Sequence, residues 1–142
     1  MELEKNEDLR NVLYKKYNLH PDDTFKHKHY SIITRPGIDK IQALAGIKIH
    51  YDVIKCEHNF AVVKASTDKL ETFGSALKGE TYTDGNTNSW YVMEIAEKRA
   101  MSRIVLKTCG FYELGVFGED ESEDFKKSRP NTTSSLKEFI NK

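Results

Sequence analysis

Cysteine and proline are scarce in this 142-residue chain, and its formal net charge is zero. The two cysteines, Cys56 and Cys109, stand far apart with no C-x-x-C spacing. That argues against a disulfide scaffold or a zinc ribbon and for a reducing compartment. No apolar run nears the roughly 20 residues of a membrane span. Met1 leads into an acidic, polar stretch rather than a signal peptide, so a cytoplasmic protein without a membrane partner is expected. Neither G-x-x-x-x-G-K-S/T nor G-x-G-x-x-G occurs, so ATP hydrolysis and dinucleotide chemistry lack their phosphate-binding loops. The balanced charge excludes a globally basic coat protein for nucleic acid. A locally basic surface remains open.

What is present suits one domain with a modest core, since 38% of the residues are hydrophobic and 31% charged. The zero net charge is unevenly built. Residues 25–64 carry seven bases (Lys26, Lys28, Arg35, Lys40, Lys48, Lys55, Lys64) against three acids (Asp39, Asp52, Glu57), and four of the five histidines fall there. A second basic segment, 94–107, holds Lys98, Arg99, Arg103 and Lys107 against Glu94 and Glu97. Two such segments on one domain could converge into a groove for an anionic polymer, or serve as ordinary solvated faces.

Periodicity predicts an α+β fold: a three-stranded antiparallel β-meander packed against a long C-terminal helix, with a short helix before the meander. Residues 4–17 read as an amphipathic helix through Leu9, Val12, Leu13 and Tyr17, stopped by the turn at His20-Pro21. A short strand at 29–34 is followed by a helix over 38–45, with Ile38, Ile41, Leu44 and Ala45 on one side and Gly46 closing it. From Ile47 the period becomes two, giving a strand to about Val53; Phe60–Ala65 is the next, and 70–80 the third. Gly74, Ser75, Ala76 and Gly79 in that third strand suggest close approach by a helix or another backbone. Asn88 or Ser89 then caps a helix over about 89–108, apolar over much of its girth from Trp90 to Leu106. The expected organisation is an N-terminal helix and turn (1–24), a core domain (25–117) and an acidic and polar tail (118–142) read as disordered.

On the long helix Arg99, Arg103 and Lys107 repeat every four residues, one stacked cationic row, while Lys98 points elsewhere. Such a row on an apolar helix is costly unless it meets solvent or anions. Phosphates would supply the anions, and so would carboxylates on the sheet or a neighbouring subunit. Arg35 sits just before a helix N-terminus, a reasonable anion contact as well as an ordinary helix entry. Lys48, His50, Lys55, His58 and Lys64 can line the wet side of the sheet, with Tyr51, Tyr82, Tyr91 or Trp90 as stacking surfaces. Most of those aromatics are expected in the core. His27-x-His29 is half of a metal site at most, because H-E-x-x-H is absent and further ligands would have to converge from other strands. Cys56, next to Glu57 and His58, has nothing to orient a Cys–His pair. No catalytic residue and no cofactor are expected.

The segment from Trp90 to Arg103, with its A-x-x-R-A-x-x-R run (Ala96 to Arg103) and Gly110 beyond, resembles the signature helix of single-strand annealing proteins. This superfamily contains the eukaryotic Rad-fifty-two recombination mediator, phage recombinases and DNA-damage-response proteins. The segment from Thr34-Arg35-Pro36-Gly37 to Gly46-Ile47 looks like the opening of its phage members, and the resemblance covers about 30–117. It implies a non-enzymatic homo-oligomer, a ring or filament, that holds single-stranded DNA in an outer groove and anneals it during recombination and repair, with a single-strand-binding protein as a further partner. By matched position it assigns DNA contacts to Lys98, Arg99 and Arg103, with one near Arg35. The eukaryotic insertions are missing, and the net charge is lower than a strong DNA binder would have. Two other classes compete: a metal-dependent nucleic-acid enzyme built on His27 and His29, and an adaptor whose arginine row takes an acidic protein.

Overall fold

The computed structural model describes residues 2–27, 30–81 and 84–120. Helix α1 (Glu2–Lys16) leads through a 3₁₀ turn (Pro21–Asp23) into strands β1 (Thr24–His27) and β2 (Tyr30–Ile33). Next come α2 (Arg35–Ala45), β3 (His50–Cys56), β4 (Phe60–Ser66), β5 (Glu71–Leu77), α3 (Val92–Thr108) and β6 (Val116–Gly118). The fold is α+β, with the antiparallel meander β3-β4-β5 packed on the long helix α3 and the short helix α2 before it.

A second sheet was not anticipated. Strand β2 lies at its centre, antiparallel to β1 and parallel to β6, with Ile33 beside Gly118 in register. Strands of three or four residues are too short to display a period of two. This sheet and α2 back α3 on the side away from the meander: Ala96 and Ala100 lie against Gly74 of β5, while Ser102 lies against Gly118 of β6 and near Ile38 of α2. Burial from two sides explains why α3 is apolar over much of its girth. The folded unit therefore runs past the expected boundary at 117, through Gly118 to Asp120; the rest of the expected tail, 121–142, lies outside the described residues.

Element ends shift where capping outweighs periodicity. Helix α2 begins at Arg35, not 38, because the Thr34 hydroxyl accepts the Gly37 N–H at 3.3 Å and Pro36 suits the first turn. Its last turn leaves Leu44 exposed, and Gly46 closes it at φ 65°. On α1, Leu13 packs toward the core beside Tyr17, but Leu9 and Val12 face solvent. In β3 a bulge between Val53 and Lys55 ends the regular alternation, and Val53 is exposed.

The entry to α2 is pinned by a buried acid. The Asp23 carboxylate accepts the Lys40 ammonium at 2.7 Å and the His20 backbone N–H at 2.8 Å, while its own carbonyl accepts the Thr34 N–H. The Lys40 hydrogen bond, then that of His20, holds the carboxyl below its ordinary 3.8. A depressed folded-state pKa adds stability that is complete above the ordinary value and lost as pH falls through the folded one. Asp23→Asn should therefore melt below the parent at pH 7, and thermal melts taken from pH 7 to 2 should show the gap closing under acid. A gap that persists at pH 2 would assign the effect to packing instead.

Candidate nucleic-acid interface

The arginine row does not face solvent as a unit. Arg99 is buried, 1% exposed, and its guanidinium donates to the carbonyls of Ser75 (2.8 Å), Asn86 (3.1 Å) and Asp120 (3.4 Å). Arg103, half-buried, donates to the Phe73 carbonyl at 2.6 Å. Strand β5 is an edge of the meander, so Phe73 and Ser75 are carbonyls of that edge. Four residues of helix advance about 6 Å and two residues of strand about 6.8 Å, so with α3 antiparallel to β5 the step from Arg99 to Arg103 matches the step back from Ser75 to Phe73. The expectation that Arg99 binds phosphate on an open face is corrected: it closes a sheet edge and satisfies buried carbonyls.

The remaining assigned cations are spread over the molecule. Arg35 faces two carboxylates, Asp39 at 3.5 Å and Asp120 at 3.5 Å. On the outer face of the meander Lys64 lies 3.8 Å from Asp52 and 3.9 Å from Glu71, His50 lies 3.3 Å from Asp52, and Lys55 lies 3.4 Å from Glu57. That face is a neutralised charge lattice. Lys48, Lys98 and Lys107 are exposed. Lys48 shares an open depression of about 450 Å³ with Lys69 and Thr108, near the C-terminal end of α3, where Lys107 lies over the Tyr112 ring. Lys55 stands at the other end of the meander, beside the β3–β4 turn, roughly 20 Å away along the strands. The structure does not gather these cations into one groove.

It does gather something else. Tyr91, not Asn88 or Ser89, caps α3, and the Ser89 hydroxyl accepts the Tyr91 N–H at 3.1 Å. Trp90 is thereby left outside the helix. It is 62% exposed, and Tyr91 is 73% exposed, so the expectation that these rings are core is corrected. The Lys78 ammonium lies 4.1 Å from the Trp90 ring centroid, and the His58 ring lies at 6.3 Å, 23° from parallel. Lys55 approaches Phe60 at 5.7 Å in the same corner, where Glu57 and Phe60 close the β3–β4 turn. Indole, phenol, imidazole and ammonium thus share one end of the sheet. Hydrogen bonds brace the corner: Asn86 accepts the Leu77 N–H at 2.7 Å and donates to Ser75, and the Lys78 N–H donates to the Asn59 carbonyl. Lys78 escapes a sequence reading because it stands between Glu71 and Glu80 in a net acidic stretch, apart from the two basic segments. Of the other candidate stacking rings, Tyr51 packs on the core, and Tyr82 lies outside the described residues.

Among the described residues no three His, Cys, Asp or Glu side chains are placed to hold a metal, and no helix is long and apolar enough to cross a membrane. The side chains of His27 and His29 lie outside the described residues. In comparisons with family models, curated proteins and solved structures, no match to the chain is found.

Proposed function

We propose that this chain binds single-stranded DNA without regard to sequence and assists its annealing, as a non-catalytic homo-oligomer. The observation that carries the reading is Trp90, a large aromatic ring left exposed on a hydrogen-bonded corner with an ammonium 4.1 Å from its centroid and a second exposed ring beside it. Every base has a π-face, so stacking on an indole or phenol is indifferent to sequence. A base held by its face still presents its pairing edge, which is what a complementary strand needs. Lys78 supplies positive charge for the backbone at that corner, and Lys98 is exposed farther along α3. The order of elements, a strand, a short helix, a meander and a long helix, is the order that the resemblance to single-strand annealing proteins implies.

Trp90 is the one tryptophan of the chain, so its emission reports this corner alone. Titration with single-stranded and double-stranded oligonucleotides should show quenching by single strands, preference for them, and affinity falling steeply with salt. Light scattering should show an assembly that grows or reorganises on the oligonucleotide. Binding without quenching, or equal affinity for duplex and for an acidic polypeptide, would overturn the reading.

A further inference from the structure

We infer that Arg35 and Ser102, beside the carbonyl-bound Arg99, form an anion site that the Asp120 carboxylate fills from within the chain, and that a phosphate of bound DNA displaces this carboxylate. The assignment of the phosphate to DNA rests on the function proposed above; the site itself does not. Its donors come from two elements. Arg35 opens α2, while Ser102 lies midway along α3, three residues on from Arg99. The Asp120 carboxylate accepts the Ser102 hydroxyl at 3.0 Å and lies 3.5 Å from Arg35 Nη1, while Arg99 Nε donates to the Asp120 carbonyl at 3.4 Å.

The carboxylate underfills what surrounds it. Arg35 Nη1 is shielded from solvent and makes no hydrogen bond among the described residues, so its 3.5 Å contact with Asp120 is an ion pair only. A phosphate, with more acceptor oxygens spread in a tetrahedron, can accept from Ser102 and Arg35 together. Asp39 also faces Arg35, at 3.5 Å, but its side chain is 58% exposed and offsets little charge. The site has a mouth, since the side chains of Arg35 and Asp120 are 35% and 18% exposed. Its occupant stands two residues beyond β6. Arg99 joins the site to the Trp90 corner, because the same guanidinium donates to Asn86 in the segment that leads to Trp90.

The test is Asp120→Asn in the full chain, with Asp120→Ala as a second variant. Removing the internal anion should tighten binding of a single-stranded oligonucleotide by about three- to tenfold at low salt and steepen the log–log salt slope by about 0.7, one added phosphate contact. Adding Arg35→Gln should cancel both gains. Inorganic phosphate should raise the melting temperature of Asp120→Asn more than that of the parent. If the variants bind DNA no better than the parent and phosphate moves all melts alike, or if neither variant folds, Asp120 is a structural member and the inference is overturned. If the parent ignores DNA while phosphate still stabilises Asp120→Asn selectively, the anion site stands and the proposed function falls. If the parent binds with Trp90 quenching and the variants match it in both assays, the function stands and the site falls.

Discussion

Trp90→Ala is expected to weaken single-stranded DNA binding on the order of 5- to 150-fold, from roughly 1–3 kcal/mol lost per unstacked base. Fluorescence anisotropy of a labelled oligonucleotide measures this in the absence of the indole. The melting temperature should scarcely move, because the ring is 62% exposed and precedes α3. Trp90→Phe should recover most of the loss, whereas Trp90→Leu, apolar but without a π-face, should not. Lys78→Met should cost less than Trp90→Ala and should flatten the salt dependence, since it removes a charge and leaves the stacking surface. Unchanged affinity in Trp90→Ala would remove the platform from the mechanism.

The helix carrying this argument was legible in the sequence, but the role of its arginines was not. Spacing shows that Arg99, Arg103 and Lys107 share a face; it cannot show what that face meets. Side-chain identity points to carboxylates or phosphates as the neutralising groups, whereas the acceptors at Ser75 and Phe73 are backbone carbonyls of an edge strand, which carry no signature in side-chain identity. The meander was legible through the period of two from Ile47 to Val53 and the run Phe60–Ala65 after a tight turn, and in the fold β4 and β5 alternate buried with less buried residues. Strands β1 and β6 were not, because their pairing with β2 is set by chain geometry rather than by local pattern. Trp90 was misplaced for a related reason. Its hydrophobicity fits the apolar run of α3, and only the late cap at Tyr91 separates the ring from that run. The candidate interface thus arises where the helix starts two residues after an apolar stretch has begun.

Gly74→Ala is expected to destabilise the fold by about 3 kcal/mol or more, since overpacking costs typically 1–3 kcal/mol and here no rotamer can relieve it. A methyl group at Gly74 would fall against the carbonyl oxygen of Ala96 and the amide of Ala100, backbone atoms of a helix that is itself held from behind. Recoil is blocked because Ser102 and Ile38 already crowd Gly118 on the opposite side of α3. Moving the helix away would also stretch the bond from the Thr72 hydroxyl to the Ala100 carbonyl (2.8 Å) and both arginine bonds to the β5 edge. Thermal melts should show a fall of about 10 °C or more. Gly46→Ala is the contrasting case: φ is 65°, but the space around a new methyl is empty, so the cost should stay near 1–2 kcal/mol. If Gly74→Ala melts like Gly46→Ala, α3 can slide on the meander, and the Arg99 and Arg103 contacts cannot be what fixes the corner that presents Trp90.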